Sequence, residues 1–133
     1  MTRWYDVGLA PRTWRYEDVY TTDTGDLSPH LATVRMTITV PTGRAGLIES
    51  LQMVVQRATV PSTLGVALAR ARHQSWNLAW ARLYSPTPGA TARVDRGYRI
   101  PLRGGDTFDI VTEDDSTGGR VRYLLGALFI WAP

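Results

Sequence analysis

The stretch Arg120-Val121-Arg122-Tyr123-Leu124-Leu125-Gly126-Ala127-Leu128-Phe129-Ile130-Trp131 decides the fold class. Val121, Tyr123, Leu125, Ala127, Phe129 and Trp131 all share one parity. A helix cannot gather every second residue on one side over that length, whereas a strand does so by its geometry. The spacing predicts a long β-strand with one buried face. Working back, Gly104-Gly105-Asp106 reads as a turn and Thr107 to Thr112 as another strand. Glu113 to Gly119 reads as the polar turn between the two, a solvated hairpin tip.

Further upstream the same period recurs. In Ala32 to Val40, Val34, Met36, Ile38 and Val40 face one way, and Thr33, Arg35, Thr37 and Thr39 face the other. That is a half-buried antiparallel pattern, closed by the turn Pro41-Thr42-Gly43-Arg44. Leu47 to Thr59 fits a helical stripe through Leu47, Leu51, Val54 or Val55, and Ala58. It also fits a strand face through Leu47, Leu51, Met53 and Val55, interrupted by Glu49. Val54-Val55 and the flanking prolines favour the strand. Residues 63–84 are the main threat to an all-β reading, because the alanines and arginines of Val66 to His73 are good helix formers. Gly65 and the turn-like His73 to Asn77 argue against a helix there. Trp76, Leu78, Trp80 and Tyr84 alternate, and with Tyr123 and Trp131 their aromatic members read as core. Ser85-Pro86-Thr87-Pro88-Gly89 is a loop, and Tyr98 to Leu102 is a short strand whose Pro101 suits an edge. The count comes to about eight strands, which predicts an all-β, two-sheet antiparallel sandwich resembling a jelly roll.

Residues 1–30 read differently. Pro11, Gly25 and Pro29 break the segment, which predicts an extended N-terminal arm, with the sandwich domain over 31–133. Trp14, Tyr16 and Tyr20 share a parity, so Thr13 to Tyr20 fits a short strand, and Thr21 to Asp26 a turn or loop. Trp4, Tyr5, Trp14, Tyr16 and Tyr20 stand near Arg12 and Arg15, which is the composition of a partner-binding anchor. The same residues would also serve an arm folded back over its own sandwich.

Composition bounds the chemistry. The 133 residues suit one domain, and 44% hydrophobic residues suffice for a core. There is no cysteine, so disulfide and thiolate chemistry are excluded. No apolar run reaches the ~18 residues of a membrane span. Met1 to Asp6 lacks the layout of a signal peptide, which predicts a chain made and used without classical secretion. All 15 basic residues are arginine, which reflects either a GC-rich source or a need for bidentate, stacking cations at interfaces. They are scattered and the net charge is only +3, so no nucleic-acid partner is expected.

No constellation announces catalysis. Asp106, Asp109, Glu113, Asp114 and Asp115 lack the spacing of a calcium loop. His30 and His73 stand apart, with no zinc pattern. Neither Gly104-Gly105 nor Gly118-Gly119 continues into a phosphate loop, and no lysine completes one. The expectation is a protein without catalytic residues, metal or cofactor.

The order of elements, with Val40-Pro41-Thr42-Gly43 closing one strand and Gly105-Asp106-Thr107-Phe108 opening another, resembles the small β-sandwich virion proteins of bacterial viruses. Capsid decoration and minor capsid proteins belong to that group, and the likeness covers residues 31–132. The Trp/Arg-rich first 30 residues depart from it. The resemblance implies a structural role in the virion, after synthesis in the host cytoplasm. It implies binding to the major capsid protein or other virion subunits, as a homo-oligomer, with a trimer favoured. The competing expectation is a carbohydrate- or receptor-binding sandwich module of a spike or fibre. A metal-binding cupin and a single-jelly-roll major capsid subunit are the more distant alternatives.

Overall fold

The computed structural model describes residues 2–5 and 14–132. Along the chain lie β1 (Thr2–Tyr5), β2 (Trp14–Leu27), β3 (His30–Thr39), β4 (Ala45–Thr59), β5 (Ala67–His73), β6 (Trp76–Leu83), β7 (Thr91–Arg103), β8 (Thr107–Asp114) and β9 (Arg120–Ala132). There is no helix among the described residues, so 63–84 resolves into strands. Two antiparallel sheets form, in the orders β1-β2-β9-β4-β7 and β3-β8-β5-β6.

The pairing is nested. β5 pairs with β6, β4 with β7, β3 with β8 and β2 with β9. The chain is therefore one long hairpin whose successive pairs alternate between the two sheets, which is the winding of a jelly roll. The tip of that hairpin is Gln74-Ser75, where φ is 52° and 68°. Two consecutive left-handed residues are what a tight two-residue hairpin turn requires.

The deciding parity of β9 is the centre of the core. None of Val121, Tyr123, Leu125, Ala127, Phe129 and Trp131 is more than 4% exposed. In the same core, across from β4, strands β5 and β6 offer Ala67, Ala69, Ala71, Ala79 and Ala81. Small residues on one sheet make room for large ones on the other, so the layers interdigitate. Phe129 sits at the middle of an aromatic cluster. Tyr20 and Phe108 meet it edge-on, with centroids 5.4 Å away, and Trp131 stacks on it at 5.6 Å.

Several expectations need correction. Thr107–Asp114 and Arg120–Ala132 do not form a hairpin, because β8 and β9 belong to different sheets and the polar link 115–119 crosses between them. The supposed hairpin tip is partly internal, since Asp114 is 2% exposed and its carboxylate accepts the Ser116 N–H at 3.0 Å. Thr21 to Asp26 is not a loop. It continues β2, with a register shift against β9 between Asp23 and Asp26, where Gly25 takes φ 64°. That is a bulge, and the turn-like composition reported it without ending the strand. In β4 a register shift between Ile48 and Ser50 changes the parity, so Ile48 and not Leu47 joins Leu51 in the core. The strand expected at Tyr98 to Leu102 is the end of the longer β7, an edge strand, and Pro101 lies there.

The five-stranded sheet also takes in most of the segment read as an arm. β2 pairs with β9 from Tyr16 opposite Trp131 to Leu27 opposite Val121.

Candidate functional site

The outer face of the four-stranded sheet is built by three register rows. The first runs Glu113–Leu68–Arg82 across β8, β5 and β6. The second runs Val34–Val111–Arg70–Trp80 across β3, β8, β5 and β6. The third runs Thr37–Asp109–Arg72–Asn77 across the same strands. Neighbouring strands are about 4.8 Å apart, so members of a row are in lateral contact range.

The charges on this face are unequally matched. Arg72 forms a bidentate pair with Asp109, with N···O distances of 2.7 and 2.8 Å. Arg70 and Arg82 have no carboxylate partner among the described residues. Instead both guanidiniums lie against the Trp80 ring, Arg82 at 4.2 Å and Arg70 at 5.8 Å from its centroid. The Nε of Arg70 is buried without a hydrogen-bond partner among the described residues. Val34 is 49% exposed at the far end of the row. A cationic, aromatic and apolar strip on a sheet face is the composition of an interface centre.

Trp76, Trp80 and Tyr84 are therefore not core, although their alternation predicts it. They are 77%, 37% and 59% exposed, while Tyr123 and Trp131 are buried. Period two says which residues share a side but not which side is inward, and here the alanines of β6 took the inner one. The alternation itself breaks at Leu78. Ala71 pairs with Ala79 but Arg72 pairs with Asn77, so Leu78 is an extra residue. Trp76 falls in the row of His73 and Phe108, out of step with Trp80.

The N-terminal candidates come together only in part. β1 and β2 are antiparallel, with Trp4 opposite Arg15, Tyr5 opposite Trp14 and Arg3 opposite Tyr16. This places Trp4, Tyr5, Trp14, Arg15 and Tyr16 side by side in backbone register at one edge of the five-stranded sheet. Their side chains, and all of Arg12, lie outside the described residues. Tyr20 is half-buried and packs on Phe129.

The acidic residues are dispersed in structural tasks. Asp106 accepts from the Arg103 N–H and from His73 Nε2, each at 3.0 Å. Those donors, the backbone first, hold its carboxyl below the usual range. Asp115 accepts the Val66 N–H at 2.5 Å. On the other sheet, the Arg122 guanidinium beside Asp23 and the Gly25 N–H hold Asp23 down at about 2. Among the described residues no three His, Cys, Asp or Glu side chains gather to hold a metal ion.

A second polar group lies inside the sandwich. Arg57 is fully buried, donating through Nε to the Ser85 carbonyl at 3.2 Å. Tyr123, also fully buried, donates to the Glu113 carbonyl at 3.3 Å. Burial, and then the Asp114 charge, push its hydroxyl well above its ordinary 10.0. Since the folded value is the raised one, the unfolded chain loses this proton first. The stability is fully present below about pH 10 and declines as pH rises beyond it. Tyr123→Phe should flatten this alkaline decline. Urea midpoints followed from about pH 8 to 12 check it, and identical alkaline slopes in both proteins would count against the assignment.

The chain matches no protein-family model and no curated protein. Among solved structures it is similar to one of infectious bursal disease virus, Gt strain, at 11% identity and a TM-score of 0.41. The match covers 95% of this chain and 37% of that one.

Proposed function

We propose that this chain is a non-enzymatic structural protein of a bacterial virus, a capsid decoration or minor capsid protein that steadies a shell by binding neighbouring subunits. Its partners on this reading are the major capsid protein or other virion subunits, and copies of itself, most simply as a trimer. The jelly roll supports a structural role only by analogy, because shells, lectins and cupins share that winding. The observation that carries the reading is the outer face of the four-stranded sheet. There, Arg70 and Arg82 flank a Trp80 that is itself partly exposed, with no carboxylate of the described chain set against them. A protein that binds only an assembled lattice stabilises it by mass action, and many copies add avidity.

Light scattering of the purified chain tests the self-association arm, where three chains of 14.8 kDa are expected to travel together. The shell arm is tested by co-sedimentation with capsids, with Trp80→Ala expected to weaken attachment by roughly tenfold or more. Full attachment of that variant would sink the reading. A carbohydrate- or receptor-binding module of a spike or fibre is the second reading, favoured by the exposure of Trp76 and Tyr84. Saturable quenching of tryptophan fluorescence by a neutral oligosaccharide would favour it instead.

A further inference from the structure

We infer that the outer face of the four-stranded sheet binds a protein segment presenting a carboxylate beside an apolar side chain, with Arg70 and Arg82 taking the carboxylate. This rests on reading that face as an interface, and adds the chemistry of what it grips.

The face contains its own precedent. Arg72, one step along β5 from the Arg70 row, holds Asp109 in a two-pronged geometry. A guanidinium fork and a carboxylate match in this way better than any other charged pair of side chains. Arg82 carries the same fork and Arg70, whose Nε is buried, keeps its terminal Nη pair, and neither has an acid as its immediate neighbour in its row. Arg70 lies between Val111 and Trp80, and Arg82 lies beyond Leu68 from Glu113. Trp80 holds Arg82 by stacking, which lowers the entropy lost when its fork is engaged. Beyond Arg70 and the buried Val111 the row ends in the half-exposed Val34, a seat for an apolar side chain on the same row as the acid.

The same face discriminates against a nucleic acid. Asp109 and Glu113 lie on it, so a chain with one negative charge per residue would meet both acids as well as the arginines. One side of the Trp80 ring is also taken by Arg82, which removes a platform for a base. A protein segment can place its single carboxylate at these two guanidiniums, which hold no acid among the described residues, and avoid Asp109 and Glu113.

Selection of random decapeptides against the folded full chain tests this. Enrichment of sequences with Asp or Glu next to an aliphatic or aromatic residue is expected. Arg70→Gln combined with Arg82→Gln should weaken the best peptide at least about tenfold, the loss expected for a truncated anchor. Changing the peptide's acid to its amide should do the same. Arg93→Gln, on the other sheet, should change nothing, and circular dichroism checks that all variants fold. Val34→Glu separates the two ideas. Peptides lost on Val34→Glu but unaffected by the arginine changes would keep the face as an interface and overturn the carboxylate assignment. Peptides indifferent to both would overturn the interface reading too. Tighter binding of oligothymidylate than of any selected peptide, or enrichment of neutral or basic sequences alone, also overturns the inference.

Discussion

Phe129→Ala is expected to destabilise the protein by about 3–5 kcal/mol, the range for deleting a buried aromatic ring. Phe129 is fully buried and touches three other rings, one from β2, one from β8 and one from its own strand. Tyr20 and Trp131 belong to the same sheet as Phe129, whereas Phe108 belongs to the other. The ring is therefore part of what bonds the two layers. Its loss leaves a cavity whose walls, being strands fixed by ladders on both sides, cannot collapse far. Against a total stability on the order of 5–15 kcal/mol, the variant should be marginal or unfolded at 37 °C. Urea denaturation with an unchanged slope and a lowered midpoint is the check. A loss under about 1.5 kcal/mol would mean that the two layers are joined elsewhere.

The second large effect concerns Gly119, in the link that carries the chain from β8 to β9. Its φ is +76°, a region where side chains are strained. An added Cβ would also stand 2.8 Å from the Pro61 nitrogen and 2.9 Å from the Thr59 carbonyl oxygen. Both are backbone atoms and neither can step aside without moving the end of β4. Gly105, with φ +88°, has nothing within 4 Å of the same position. The pair separates two costs. Gly105→Ala should lose about 1 kcal/mol, from the backbone conformation alone. Gly119→Ala should lose about 2–4 kcal/mol, because the clash is added to it. Equal losses at the two sites would show that the link has room to move.

How far the fold was legible depends on the range of each signal. The period-two run of β9 was readable because it records a local fact, that one side of the strand is dry. The same run in β6 was readable as a strand but not as to its inward side. Its aromatic parity holds more apolar surface than Ala79, Ala81 and Leu83, yet the alanines face the core, where β4 and β7 approach β6 from the other sheet. Arg82, of the same parity as Trp80, was the clue in the chain that this side meets water. The β8–β9 link was misjudged for a different reason. A short polar gap fits a hairpin and a crossing between sheets equally well, and only the partners of β8, which are β3 and β5, decide it. Those partners lie far away in sequence, so nothing in Glu113 to Gly119 reports them.

The candidate face was legible only as a list of unusual residues. The sequence shows arginine without lysine and an excess of tryptophan, but it does not align Val34, Val111, Arg70 and Trp80. That row exists because three separate strand pairings fall into register. The arm residues were legible as aromatic and basic. The place of Tyr16 and Tyr20 beside β9 was not, since the bulge near Gly25 carries the strand through a segment with a turn's composition.

The nested winding has a consequence for how the molecule comes into being. Contacts across Gln74-Ser75 close over two residues, whereas Arg122 meets Asp23 across a separation of 99. The entropy of closing a segment grows with its length, and architectures dominated by distant partners fold slowly, on the order of milliseconds to seconds. Zippering from the tip outward is the least costly order. On a ribosome, β2 and β4 emerge long before β9, the strand that lies between them and is hydrogen-bonded to both. Until that strand is delivered, the larger sheet has no middle, and the nascent polypeptide must be kept from meeting its neighbours.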